Sequence, residues 1–148
     1  RSIEHGKVVF EQATCNRCHS IEGNGAKLGP HLTGISKKFT GSKLLEQVIR
    51  PSSQIHKDFQ PQLIVVDTGQ VLTGVVIEET ETELTLLPNM LKPEKTYVLD
   101  KASIDEQLIS NVSSMPVGLL DTFTRDEILD LIAYIQSVAP KPESTGTE

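Results

Sequence analysis

Cys15-Asn16-Arg17-Cys18-His19 is the stretch that decides the fold of this 148-residue chain. On a helical turn, side chains three residues apart face the same side, so the sulfurs of Cys15 and Cys18 can act on one ligand, and the imidazole of His19 adjoins them. Cys-x-x-Cys-His is the attachment sequence for c-type haem. The motif therefore predicts one covalently attached haem c, tethered by Cys15 and Cys18, with iron bound by His19.

Three other interpretations of the two cysteines compete with haem attachment. A thioredoxin-like redox pair requires a strand before the motif, whereas the residues before Cys15 have a helical pattern. A zinc site needs four ligands, so His19 with His31, His56 or a carboxylate would have to complete it, and the spacing does not support this. A structural disulfide is the third interpretation. Haem attachment remains the prediction because it uses both cysteines and the histidine.

Length and composition indicate one globular domain that contains no apolar run long enough to cross a bilayer. The chain begins at Arg1, with neither an initiator methionine nor a secretory segment. We therefore expect it to be a mature or excised piece of a longer precursor. Haem c attachment implies a periplasmic or otherwise extracytoplasmic site.

The net charge of −6 is unevenly distributed along the chain. Residues 1–57 hold nine basic and four acidic side chains, whereas residues 58–148 hold five and sixteen. If Lys27, Lys37, Lys38 and Lys43 cluster near the haem edge, they would steer an acidic redox partner to that edge. Nucleic acid is excluded as a partner for so acidic a chain.

The first part of the chain reads as helices and a loop. Residues 3–14 contain no proline and predict a helix that leads to Cys15. The glycine-rich residues 23–34 predict a loop. Ser42 predicts the cap of a helix over residues 43–50, which Pro51 ends.

The middle of the chain is rich in β-branched residues and predicts five strands. They cover residues 62–67, 70–78, 82–87, 96–99 and 103–109. Residues 67–70 read as a hairpin turn, and short links favour a small antiparallel meander. Pro88 and Pro93 bracket a longer loop that contains Met90.

Helical periodicity returns after residue 124. Thr124 and Glu127 form a capping box, followed by apolar residues at helical spacing until Pro140. Residues 141–148 predict a flexible tail. The predicted fold is mainly α, a single haem c domain over residues 1–140. A β-rich insertion at 58–110 lies between the second helix and the loop that holds Met115.

An iron bound by His19 has one axial position left, and the chain has two methionines. Met115 lies in Ser113-Ser114-Met115-Pro116, where the proline fixes the backbone ahead of the last helix. Met90 lies in the β segment and reads as a packed apolar residue. We therefore predict Met115 as the sixth ligand, with His31 or His56 as the main rival.

These elements resemble the class I c-type cytochromes. The matching elements, in order, are Gly6, Phe10, Cys15, Cys18, His19, Gly29-Pro30, Met115-Pro116 and Tyr134. More narrowly, the chain resembles the haem-binding domain of large multidomain proteins from planctomycete and verrucomicrobial bacteria. The residues that carry this narrower likeness are Arg50-Pro51-Ser52, Ile55, Gly74, Ser114-Met115-Pro116, Leu119, Leu120 and Ile128.

The resemblance implies two further contacts. The carbonyl of Pro30 would accept the Nδ1 hydrogen of His19 and so strengthen the ligand. Gly6 and Phe10 would pack against the last helix near Ala133 and Tyr134. The departure from ordinary class I cytochromes is the separation of 96 residues between His19 and Met115, with the acidic strand segment between them.

A haem with both axial positions filled has no place for substrate, so the predicted function is one-electron transfer without catalysis. The expected partners are a redox protein or fused dehydrogenase domain as donor and a terminal electron acceptor. One alternative is a haem enzyme or gas sensor whose sixth position is open or displaceable. Another is an interaction module in which the haem is structural and the acidic β segment binds a partner.

Overall fold

The structure is a computed structural model that describes residues 1–140. The described chain divides into two compact units. The first comprises Arg1–Glu46 together with the chain from Leu119 onward, and the second comprises Gln47–Gly118. The predicted tail at residues 141–148 lies outside the described residues.

The first unit contains two long helices and a short antiparallel hairpin of two strands. Helix α1 spans Ile3–Gln12 and helix α3 spans Arg125–Ser137. A short hairpin joins β1, Ser20–Ile21, to β2, Asn24–Gly25. Of the two strands, only β2 lies within residues 23–34, which the sequence predicted as a loop. The capping box at Thr124 and Glu127 is present at the start of α3, as predicted.

Helices α1 and α3 pack closely because α1 carries a glycine at the contact. Val9 and Phe10 of α1 and Leu131 and Ile135 of α3 are buried. The ring of Phe10 meets that of Tyr134 edge to face, with centroids 5.7 Å apart. The predicted packing of the first helix on the last is therefore present.

Helix α2 spans Gly41–Ile49 and begins earlier than the sequence predicted. Ser42 was predicted as its cap, and this was wrong, because Ser42 lies inside the helix. The N–H of Gly41 instead donates to the side-chain oxygen of Gln136 on α3, at 2.9 Å. A contact distant in sequence thus satisfies one of the free N–H groups at the start of α2.

The second unit contains a five-stranded antiparallel sheet. Its strands are β3 (Gln62–Val66), β4 (Val71–Glu79), β5 (Glu83–Leu87), β6 (Tyr97–Asp100) and β7 (Ile104–Ile109). All five lie within about one residue of their predicted bounds. Buried side chains of Ile64, Val66, Leu84 and Leu86 form its core.

The order of the strands is β6-β5-β4-β3-β7, which differs in one respect from the predicted meander. The first four strands follow one another as neighbours, but β7 returns to pair with β3 at the opposite edge. Three helices and this sheet occupy comparable lengths of chain. The fold therefore contains α-helices and β-strands in similar amounts. The prediction of a mainly α fold overestimated the share of helix.

Candidate haem site

A tight turn connects the end of α1 to the Cys-x-x-Cys-His motif. Helix α1 ends at Gln12, and Thr14 adopts a left-handed conformation, with φ of 63°, which redirects the chain. Cys15–Arg17 then forms a single turn of 3₁₀ helix. The N–H groups of Cys18 and His19 both donate to the carbonyl of Cys15, at 3.2 and 2.9 Å. Both sulfurs and the imidazole are thus supplied by one backbone turn.

The loop after the motif is hydrogen-bonded back to it. The N–H of Ala26 donates to the carbonyl of Asn16 at 3.0 Å, and those of Leu28 and Gly29 donate to the carbonyl of Cys18 at 3.1 and 2.7 Å. These bonds fix the chain immediately before Pro30. The loop is therefore held against the motif by the motif's own carbonyl groups.

This arrangement brings Pro30 to His19. The Nδ1 of His19 lies 2.6 Å from the carbonyl oxygen of Pro30. Because a carbonyl only accepts hydrogen bonds, Nδ1 must carry the hydrogen, which leaves Nε2 with its lone pair. Burial lowers the pKa of His19, and the hydrogen bond to Pro30 opposes that shift. The ring is therefore neutral and presents one nitrogen suited to binding iron.

The absence of a side chain at Gly29 leaves room for the imidazole of His19 beside the backbone. A β-carbon at Gly29 would stand 3.1 Å from Cε1 and 3.3 Å from Nδ1 of His19. That is closer than ordinary van der Waals contact. A glycine before Pro30 thus allows the backbone to approach the ring closely.

The two thiols are free, and neither forms a disulfide. Cys15 is buried, which raises the pKa of its thiol to about 11. Burial also raises the pKa of Cys18. A thioredoxin-like pair depends on a thiol whose pKa is lowered, so these shifts disfavour that interpretation.

A zinc site also lacks support. Over residues 1–140, no group of three or more His, Cys, Asp or Glu side chains is arranged to hold a metal ion. His56 was one of the candidates to complete such a site. Its Nδ1 accepts the N–H of Asp58 at 3.2 Å and its ring contacts Phe59, so it serves as a local helix cap.

Met115 lies in the second unit, in a loop held by serine side chains. The N–H of Met115 donates to Oγ of Ser113 at 3.1 Å. The N–H of Ser113 in turn donates to Oγ of Ser52 at 3.0 Å. Met115 is half-buried, and Met90, in the loop between β5 and β6, is half-buried as well. Burial therefore does not distinguish the two methionines. Nor does the backbone, because the N–H of Leu91 donates to Oδ1 of Asn89 at 2.9 Å and holds the Met90 loop in a turn as well.

Two free sulfurs and a neutral imidazole with an available Nε2, all on one turn, fit the requirements of covalently held haem. The family model described as cytochrome c matches residues 3–84, more than half of the chain. The chain therefore belongs to the cytochrome c family. Proteins of this family carry electrons by means of covalently bound haem c, and one haem suits a chain with two cysteines.

A cytochrome c-553-like protein from Synechocystis sp. is similar to part of the chain. The two are 33% identical over 58 residues, which is 39% of this chain and 53% of the relative. The chain thus matches about half the length of that curated relative. The family match ends inside β5 and does not reach Met115.

Cytochromes c are typically extracytoplasmic and act with redox partners. Within residues 1–140, no helix is both long enough and apolar enough to span a membrane.

Proposed function

We propose that this domain is a mono-haem electron carrier whose haem is tethered by Cys15 and Cys18 and ligated by His19 and Met115. The observation that carries the proposal is the 2.6 Å contact between Nδ1 of His19 and the carbonyl of Pro30. It supports a His19 ring oriented and polarised in the manner of a metal ligand. When bound, haem c supplies a one-electron couple between ferric and ferrous iron.

The residues of the motif would have separate tasks. Cys15 and Cys18 would hold the group through thioether bonds, so that neither sulfur remains a redox thiol. His19 would bind through Nε2, while Pro30 keeps its tautomer fixed and raises its basicity. Pro30 is thus a positioning residue that acts through His19.

Met115 is the proposed second axial ligand. A thioether favours the ferrous state and raises the reduction potential, which suits acceptance of electrons from a dehydrogenase. With both axial positions filled, no position remains for a substrate, and the domain would be an electron carrier without an enzymatic step. Pro116 and the bond to Ser113 would keep the Met115 loop in one conformation.

The test compares Met115→Ala with the matched control Met90→Ala. We expect the long-wavelength band of thioether-ligated ferric haem in the wild type and in Met90→Ala, and its loss in Met115→Ala. Reduced wild type should bind carbon monoxide slowly or not at all, and Met115→Ala should bind it rapidly. Rapid, stoichiometric binding by the wild type would instead indicate an open-site haem enzyme or gas sensor.

The proposed organisation is one haem c domain over residues 1–140, interrupted by the strands of the second unit. Its location would be periplasmic or otherwise extracytoplasmic. The donor would be a dehydrogenase, fused or separate, and a terminal acceptor would receive the electrons. Four exposed lysines of the first unit would favour an acidic partner surface. They are Lys27, Lys37, Lys38 and Lys43.

A further inference from the structure

The sheet of the second unit has an exposed edge at β7. Only one side of β7 is paired, with β3, and no other described strand lies beside it. Every side chain from Asp105 to Ile109 is exposed, including the apolar Leu108 and Ile109, at 48% and 67%. An edge strand with apolar side chains and free backbone groups is suited to pairing with another extended segment.

The hydrogen bonds identify which backbone groups of β7 are available. The N–H of Ser110 donates to the carbonyl of Pro61 at 2.8 Å, so the backbone of Ser110 faces β3. Successive residues of a strand alternate in direction, which turns Leu108 and Glu106 toward β3 as well. The N–H and carbonyl groups of Gln107 and Ile109 therefore point outward, away from the sheet.

The charges at this edge restrict the partner. β7 carries Asp105 and Glu106 and no basic side chain. Asp67, whose N–H donates to the carbonyl of Ser103 at 2.8 Å, adds an exposed carboxyl group beside the start of β7. Lys101, in the turn before β7, is already paired with Glu79 at 2.9 Å. The edge at β7 is thus acidic, and a basic segment would be attracted to it.

We propose that the outer edge of β7 binds an extended, lysine- or arginine-rich segment of a partner protein by strand addition. Backbone groups of Gln107 and Ile109 would pair with the segment, and Asp105 and Glu106 would attract its basic side chains. Leu108 and Ile109 would contact its apolar side chains. A second copy of this chain fits poorly, because two β7 strands would bring together four carboxylates and no basic group.

The inference depends on the second unit alone and not on the proposed axial ligands, so each can fail without the other. The test uses the haem-loaded chain and two eight-residue peptides, one alternating lysine with valine and one alternating glutamate with valine. We expect the lysine peptide to bind about tenfold more tightly than the glutamate peptide, with affinity that falls as salt rises. Equal affinity for the two peptides, or no binding of either, overturns the proposal.

Hydrogen exchange of individual amides gives a sharper readout. Lysine peptide should slow exchange at Gln107 and Ile109, whose N–H groups point outward. It should leave Glu106 and Leu108 nearly unchanged, since their N–H groups already face β3. Slower exchange elsewhere in the chain, with none at Gln107 or Ile109, contradicts strand addition at β7.

Two pairs of variants separate backbone pairing from charge. Gln107→Pro removes an outward N–H, and Gln107→Ala removes the same side chain but keeps the N–H. Only the proline variant should lose binding. Glu106→Lys should weaken binding about tenfold, whereas Glu81→Lys, in the β4–β5 turn two strands away, should have a much smaller effect.

The comparison of Glu106→Lys with Glu81→Lys still tests the proposal if the proline variant does not fold. Analytical sedimentation tests whether a second copy of this chain binds the β7 edge instead. A concentration-dependent dimer of the wild type that Gln107→Pro dissociates would assign the edge to a second copy and overturn the proposal.

Discussion

The backbone carbonyl of Asp130 on α3 occupies the space in which a β-carbon on Gly6 of α1 would stand. Cβ of Tyr134 is also within 2.7 Å of that position. The two helices can come this close only because residue 6 has no side chain. The same close approach sets Phe10 edge-on against Tyr134, at an interplanar angle of 69°.

We expect Gly6→Ala to lower the free energy of unfolding by about 1–3 kcal/mol, because α1 must move away from α3 to relieve the overlap. This loss exceeds the gain of about 1 kcal/mol at most that alanine brings to a helix interior. Denaturant unfolding measures the difference. The control is Val8→Ala, at an exposed position of α1, where a change of about 0.5 kcal/mol or less is expected. Wild-type stability in Gly6→Ala would contradict the close approach.

Asp130 links the start of the chain to α3 and should make stability depend on pH. Its carboxylate contacts Nδ1 of His5 at 2.9 Å and accepts the N–H of Ser2 at 2.9 Å. The bond to His5 first, and then that to Ser2, lowers the pKa of Asp130 below its ordinary value of 3.8. A lowered pKa in the folded state adds stability above 3.8, and this is lost as the pH falls toward the lowered value.

Asp130→Asn should therefore lower the melting temperature at neutral pH, and the difference from the wild type should shrink as the pH falls below 3.8. Thermal melts at a series of pH values test this. Asp121→Asn, at an exposed position before α3, is the matched control and should leave the acid limb of the profile unchanged. A constant difference at all pH values would show that Asp130 acts through packing and not through its charge.

Local patterns were sufficient to predict most elements of this chain. The capping box at Thr124 and Glu127 marks the start of α3, and the β-branched runs gave strand bounds within about one residue. Both signals arise from neighbouring residues, which is why they can be read without the fold. The contact between His19 and Pro30 followed from a resemblance and not from any local pattern.

The errors came from contacts distant in sequence. Gln136 supplies the acceptor for the first turn of α2, and nothing near Ser42 indicates this. The pairing of β7 with β3 depends on which sheet edge the chain returns to, and alternation within β7 carries no such information. Ligation of iron by Met115 stays a prediction, because its local sequence indicates a fixed loop without indicating where that loop lies.

Gly74 in β4 should be as intolerant of a side chain as Gly6. A β-carbon there would overlap the carbonyl oxygen of Leu87 and lie 2.9 Å from Cα of Pro88. Because backbone atoms cannot easily move aside, we expect Gly74→Ala to lower the free energy of unfolding by about 1–3 kcal/mol. Hydrogen exchange of the β4 and β5 amides measures the loss within the second unit. Thr73→Ala, at an exposed neighbouring position, serves as control, and equal protection in both variants would contradict the prediction.

Gly29→Val tests whether the ring of His19 depends on the space beside it. A β-carbon at residue 29 would already stand 3.1 Å from Cε1 of His19, and the methyl groups of valine add to the crowding. The ring should move away from Pro30 and lengthen the hydrogen bond at Nδ1. A weaker bond makes the imidazole a poorer donor, so the reduction potential should rise.

Two measurements on the haem-loaded protein check this expectation. A redox titration should give a higher midpoint potential, and the NMR signal of the Nδ1 hydrogen of His19 should move upfield as its hydrogen bond weakens. Asn24→Val places the same side chain at an exposed, uncharged position of the same segment and should change neither quantity. If Gly29→Val moved the proton signal upfield but left the potential at its wild-type value, the carbonyl of Pro30 would have no influence on His19 as a ligand.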